Sequence, residues 1–157
     1  MNPPSEDLYQ RYLCEVEKLL ADTPSYPDLL NRRGLLKLQL GEPEEARRDF
    51  VAALSRNSRY EQARVNLAFA LGERDFRSAI DLMANIAKNS QQPHQRYVDM
   101  ARLCTRHGHV SEAWDAIYHT LNLAPDDPLA LHWGAYLLAK EERSREAQRW
   151  LLRSARS

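Results

Sequence analysis

Residues 44–47 read Glu-Glu-Ala-Arg, and three later segments place an alanine in the same setting: Arg-Ser-Ala-Ile at 77–80, Ser-Glu-Ala-Trp at 111–114 and Arg-Glu-Ala-Gln at 145–148. The four alanines are 33, 34 and 34 residues apart. Twelve positions before three of them stands another small residue, at Gly34, Ala101 and Ala135. Because two antiparallel helices approach closely only where both carry small residues, this spacing predicts a helical hairpin that recurs four times.

Turn residues separate the two helices of the predicted hairpins. Gly41 suits the C-terminus of one helix and Pro43 the first turn of the next. Gly108, between two histidines, marks the corresponding turn of a later hairpin. Asp127 and Pro128 form a helix start, with the aspartate as N-cap and the proline in the first helical position.

These residues resemble the tetratricopeptide repeat (TPR) family, whose unit is a 34-residue helix-turn-helix. The first copy matches the family pattern at Leu30, Gly34, Gly41, Ala46, Phe50 and Ala53. The third copy matches at Tyr97, Ala101, Gly108, Ala113, Ile117, Thr120 and Pro125, and the fourth at Leu131, Ala135, Ala147, Leu151 and Ser154. In the fourth copy Glu142 replaces the turn glycine. The second copy departs most, because it is one residue short and Gly72 precedes Ala79 by seven residues instead of five, so its register is open.

The resemblance implies an all-α fold, a right-handed superhelical stack of antiparallel helix pairs with about nine helices. We expect four repeats at 27–60, 61–93, 94–127 and 128–157, in one continuous domain over 27–157. Apolar residues recur at helical spacing within 6–22, so residues 1–26 are expected to supply an N-terminal helix that caps the first repeat. At the other end, only one of Trp150, Leu151 and Leu152 should face its partner helix, which leaves apolar surface open.

Composition excludes several classes of protein. The 22 basic and 22 acidic residues of the 157-residue chain cancel, so the net charge typical of a nucleic-acid binder is missing. Two cysteines are too few for a disulfide framework or a four-thiolate zinc site and fit a reducing compartment. No basic-then-apolar leader and no stretch long enough to span a membrane is visible, so we expect a soluble, cytoplasmic protein.

The sequence gives no support for an enzyme. It contains no nucleotide-binding glycine motif, no HExxH and no GxSxG, and we expect neither a cofactor nor a bound metal. His107 and His109 flank a turn glycine without a carboxylate or thiol at a metal-binding spacing, so they are interpreted as solvated turn residues.

The resemblance implies that the first helix of each repeat lines a concave groove that takes up an extended or helical peptide. Carried over position by position, the groove candidates are Asn31, Leu35, Leu38, Val65, Phe69, Val98, Arg102, Thr105, His132 and Tyr136. Clamping of a chaperone tail is not expected, because Leu35 and Asp99 stand where that function needs residues that attract a carboxylate.

The leading interpretation is therefore an adaptor or scaffold that binds a partner protein in this groove. One alternative is a small TPR chaperone for a secreted client. A weaker alternative is a binder of RNA or acidic surfaces that uses a stripe of arginines at positions 145, 149, 153 and 156, although acids interspersed at helical spacing also fit a solvated face. Self-association through the last helix is a further possibility.

Overall fold

The structure, a computed structural model, describes residues 6–156, which form nine α-helices and no strand. The helices are α1 (Glu6–Asp22), α2 (Pro27–Gln39), α3 (Pro43–Arg56), α4 (Glu61–Gly72), α5 (Phe76–Asn89), α6 (Pro93–Arg106), α7 (Val110–Leu123), α8 (Pro128–Lys140) and α9 (Ser144–Ser154). Within the described part of the chain, no helix is long and apolar enough to cross a lipid bilayer.

The chain divides into two compact units. The first ends at Ala79 and holds α1 to α4 and the first turn of α5, and the second begins at Ile80 and holds the rest of α5 and α6 to α9. The repeat boundaries expected from the sequence, and their membership in one continuous domain, stay predictions.

In the first unit, α2 and α3 pack closely because a glycine faces an aromatic ring. A Cβ atom at Gly34 would lie 2.5 Å from Cε1 of Phe50, so only glycine leaves room for the ring. Phe50 is fully buried, and Ala46 and Ala70 complete its surroundings. The small residue in α2 and the alanine of α3 thus have the role that their twelve-residue spacing predicted.

A buried carboxylate also joins α2 to α3. Asp49 accepts hydrogen bonds from Arg33, at Oδ2 from Nε (2.9 Å) and at Oδ1 from Nη2 (2.5 Å), and Lys37 Nζ lies 3.1 Å from the same Oδ2. Both cations come from α2, at i and i+4, and reach the same side of α3. Because Asp49 is almost wholly buried, the two cations compensate for the desolvation of its charge.

In the second unit, α8 and α9 repeat the glycine–aromatic contact. A Cβ atom at Gly134 would overlap the ring of Trp150, and this ring also meets Trp114 of α7 edge-on, at 5.7 Å between centroids. Leu151 and Leu152 stay exposed. As the sequence indicated, one of the three consecutive apolar residues of α9 faces its partner helix.

The turns follow the sequence signals in three of the four pairs. Gly41 and Gly108 have φ angles of 79° and 77°, the left-handed conformation that glycine adopts without strain. Glu142 has a φ of 60° at the corresponding position of the last pair, so the turn keeps its geometry without its glycine. In the second pair Glu73 continues in helical geometry, and the Asp75 side chain accepts from the Ser78 amide at 3.0 Å at the start of α5.

Candidate functional site

A ladder of polar side chains links α2 and α4 in the first unit. The Asn66 side-chain amide donates to Oδ1 of Asn31 at 2.9 Å, and Gln62 donates to Oδ1 of Asn66 at 3.2 Å. The Asn31 amide in turn donates to the Tyr60 hydroxyl at 3.3 Å. Asn31 and Asn66 are both buried, so these bonds satisfy polar groups that would otherwise be costly to enclose.

An open pocket of about 480 Å³ lies beside this ladder. Tyr12 of α1 and Arg32 of α2 form one wall, where the guanidinium donates to the Tyr12 hydroxyl at 2.9 Å. Leu35 supplies apolar surface, and Asn31 and Tyr60 supply polar surface. The pocket therefore offers both hydrogen-bonding groups and an apolar contact to whatever enters it.

The Tyr60 phenol stays protonated in this setting. Burial raises the pKa of Tyr60, and a hydrogen bond with Asp28 raises it further, while the Asn31 amide lowers it. The hydroxyl can thus accept from Asn31 and donate to Asp28 at neutral pH, so the rim of the pocket has a fixed hydrogen-bonding pattern.

The five groove candidates of the first unit lie in different environments. Asn31 and Leu35 line the pocket. Leu38 packs against the Phe50 cluster, and Phe69 is half-buried. Val65 is buried and presents no surface to a partner, so we leave it out of the proposed contact surface.

The second unit places its candidates on α6 and α8. Arg102 is exposed and pairs with Asp99 at 3.2 Å, and Thr105 is half-buried. Val98 is buried and is also left out of the proposed surface. On α8, His132 and Tyr136 are exposed.

Aromatic residues on α8 surround the groove candidate Tyr136 of the second unit. Tyr136 contacts Trp133 edge-on, with 5.8 Å between centroids, and the Lys140 ammonium lies 5.6 Å above the Tyr136 ring. Cation–π contact and aromatic packing hold Tyr136 while leaving its outer face exposed.

Sequence reasoning missed Tyr12, Arg32 and Tyr60 as pocket residues, and Trp133 beside Tyr136. A signal for one of them existed, since Arg32 lies one position after Asn31 and three before Leu35 and hence on a neighbouring face of α2. Tyr12 belongs to a helix that the groove pattern does not include, and Tyr60 stands just before α4.

A second cleft, of about 350 Å³, lies among α7, α8 and α9. Trp114, Tyr118 and Trp150 line it, and the Trp114 indole donates to Glu141 at 3.3 Å. The sequence analysis did not single out this cleft. Across residues 6–156, histidine, cysteine and carboxylate side chains form no group of three or more that could hold a metal ion.

No protein-family model matches the sequence, and no curated protein matches it either. Solved structures do. TTC0263, a thermophilic TPR protein in Thermus thermophilus, is 19% identical over 93% of this chain and 81% of its own, with a TM-score of 0.74. YrrB, described as a TPR protein with an unusual peptide-binding site, is 19% identical over 80% of this chain and 66% of its own, with a TM-score of 0.63.

The chain has the tetratricopeptide repeat fold. PilF of Pseudomonas aeruginosa is similar as well, at 18% identity over 96% of this chain and 69% of its own, with a TM-score of 0.67. The predicted fold class, an all-α TPR solenoid of about nine helices, is thereby confirmed. Identities this low establish the TPR fold alone, so the function rests on the site itself.

Proposed function

We propose that this TPR protein is a non-catalytic interaction module that binds a segment of a partner protein on the first helices of its repeats. The observation that carries the proposal is the hydrogen-bonded Asn31–Asn66 pair beside the exposed Leu35. Asn66 holds the Asn31 amide in place, and Asn31 and Leu35 line one open pocket.

A peptide suits this surface because it carries both kinds of group. The Arg32 guanidinium can donate to peptide carbonyls or carboxylates, while Leu35 can pack against an apolar side chain. The side chains already hold one another in place, so little conformational entropy is lost when the partner binds. The peptide-binding site named for YrrB supports the same use of this fold.

The second unit is proposed to contribute through Tyr136, His132 and Arg102. An exposed tyrosine held by neighbouring rings contributes a large contact area at a low entropic cost. Arg102 shares the Asp99 carboxylate with Arg96, so this part of α6 presents a mixed charge rather than a strongly basic one. We therefore expect a partner segment with apolar anchors instead of a highly acidic one.

The test is capture of partners from host lysate by immobilised protein, with identification by mass spectrometry. Wild type is compared with a Leu35→Glu, Tyr136→Glu variant. The matched control is Val51→Glu, Tyr118→Glu, which places the same charges on exposed apolar residues of α3 and α7. Circular dichroism must show that both variants stay folded.

A partner held by wild type and by the control, and lost by the Leu35→Glu, Tyr136→Glu variant, supports the proposal. Equal capture by all three proteins contradicts it and moves binding to another surface. A captured protein with a secretion signal would favour the chaperone alternative.

RNA or an acidic surface is the remaining alternative, and salt separates it from peptide binding. Phosphate contacts weaken steeply with rising salt, whereas apolar contacts do not. In the structure Arg153 already donates to Asp126 at 2.9 Å and to the carbonyl of Pro125, so this member of the arginine stripe is engaged within the protein.

A further inference from the structure

The side chain of Leu151 in α9 is exposed, although the equivalent side chains of α3, α5 and α7 are buried. The equivalent residues are Phe50, Met83, Ile117 and Leu151, which follow one another at intervals of 33, 34 and 34 residues. The first three side chains are 0% exposed, whereas Leu151 is 47% exposed and its neighbour Leu152 61%. Phe50 is covered partly by α4, the first helix of the pair that follows it. The corresponding side of α9 has room for one more helix.

The charge around this opening is positive. Arg145 and Arg149 lie seven and three residues before Leu152, which places both on its face of the helix. Arg156 follows just beyond the end of α9. A helix that covers Leu151 and Leu152 therefore gains from carrying acidic residues at its edges.

The first helix of the chain has the complementary character. α1 contains five acidic residues and two basic ones. Its exposed apolar residues Leu8, Tyr12 and Leu19 follow one another by four and seven positions, with Glu15 between the last two, so they form one stripe. This stripe is separate from the buried face that holds Val16 and Leu20.

A cleft of about 380 Å³ runs along this stripe between α1 and α2. Leu19 and Leu29 give it an apolar floor, Glu15 and Asp28 line it with carboxylates, and Arg32 adds one guanidinium. Glu15 also pairs with Lys18 at 2.7 Å. Because the cleft has two carboxylates against one guanidinium and an apolar floor, a basic helix with exposed leucines suits it in charge and in apolar contact.

We propose that α9 of one molecule packs into the α1–α2 cleft of a second copy of this chain. Leu151 and Leu152 fill the cleft, and Arg145 and Arg149 meet Glu15 and Asp28 of the second copy. A contact between two α9 helices would bring arginine against arginine, and one between two α1 helices would bring acid against acid. The charges therefore select the mixed contact.

This contact joins two different surfaces, so a dimer keeps one free α9 and one free α1–α2 cleft. Assembly then continues head to tail, into a ring if the rotation closes and into a chain if it does not. The expected signature is a mean mass that passes that of a dimer as concentration rises, and that falls when salt screens the charges.

Sedimentation equilibrium between about 5 and about 500 µM tests the proposal, because it detects weak contacts across that range of dissociation constants. Leu152→Glu blocks α9, and Leu19→Arg blocks α1. Each variant alone should weaken association at least about tenfold, the loss of one well-buried anchor. Mixed together, the two variants should associate, since each retains the surface that the other lacks.

The matched control is Val51→Glu, which introduces the same charge at an apolar residue of α3 that is 47% exposed, and it should associate like wild type. Circular dichroism checks that all variants fold. A monomeric wild type over the whole concentration range overturns the proposal. So does a Leu19→Arg variant that associates as tightly as wild type, which indicates an α9–α9 contact, or a mixture of the two blocked variants that associates no more tightly than either variant alone.

Discussion

Replacement of Gly34 by alanine tests whether the close approach of α2 and α3 holds the first unit together. Alanine in the middle of an exposed helix is favoured over glycine by about 1 kcal/mol. At Gly34 the new Cβ would instead lie 2.5 Å from Cε1 of Phe50 and 2.9 Å from two further ring carbons. The gain in helix propensity is therefore opposed by a steric conflict.

The size of the conflict follows from these distances. Carbon atoms in good contact are about 3.5 Å apart or more, so the ring must retreat by roughly 1 Å. Phe50 is 0% exposed and has no open side into which it can move. Overpacking of this kind costs about 2–3 kcal/mol. After subtraction of the gain in propensity, we expect Gly34→Ala to lower the free energy of unfolding by about 1–2 kcal/mol.

Urea unfolding followed by circular dichroism measures the change, and a double-mutant cycle identifies its cause. Phe50→Leu removes the ring atoms that meet the new Cβ. The double variant should therefore be more stable than the sum of the two single effects predicts, by about 1 kcal/mol. Gly34→Ala that raises stability, or a strictly additive double variant, would refute the explanation by ring contact.

Four further outcomes are expected. Burial raises the pKa of Cys104 to about 12, so at pH 8 an alkylating reagent should label the exposed Cys14 and leave Cys104 unlabelled until the protein unfolds. The free energy of unfolding should also fall as pH rises from the thiol's ordinary pKa towards 12, because in that range the thiol ionises in the unfolded chain and not in the folded protein. Asp127→Ala removes the N-cap of α8 and should cost about 1 kcal/mol in urea unfolding. Asp49→Asn leaves two partly buried cations uncompensated and should cost about 3 kcal/mol in the same assay. Glu142→Gly relieves a left-handed φ and should raise the melting temperature by about 2–4 °C, for a gain near 1 kcal/mol.

Much of the fold could be predicted from small residues at fixed intervals, because those residues act locally. Gly34 and Ala46 predicted one helix crossing, and the structure places Phe50 in the space that Gly34 leaves. The position of Glu142 predicted a turn, and its φ of 60° confirms one. Asp127 and Pro128 likewise begin α8 as expected. Each of these features depends on a few residues of one helix pair, and the repeat period predicts where those residues lie in the sequence.

The pocket could be predicted only in part, because its walls come from parts of the chain far apart in sequence. Arg32 donates to Tyr12, 20 residues away, and Asn31 donates to Tyr60, 29 residues away. The repeat pattern assigned Asn31 to the groove but not its bonding to Asn66, which buries it. The repeat period predicts where a residue lies on its own helix. Which side chain it contacts on another helix depends on positions whose residue types differ from one repeat to the next.

Eight of the ten groove candidates stand at two kinds of repeated position, which differ in burial. One kind repeats as Asn31, Val65, Val98 and His132, and the first three are buried while the last is exposed. Asn31 shows the reason within the first unit, since Asn66 of the next first-helix lies against it. Within the first unit this position lies at the contact between α2 and α4, whereas His132 on α8 is exposed.

The second kind lies four residues further along each first helix, at Leu35, Phe69, Arg102 and Tyr136. None of these four side chains is buried. One helical turn thus separates a mostly buried position from an accessible position that is proposed to bind the partner, and both carry apolar residues in this chain, so hydropathy alone cannot distinguish them. Charged substitutions at the second kind should change binding without unfolding the repeats, whereas the same substitutions at Val65 or Val98 should unfold them, because a buried charge there would have no partner.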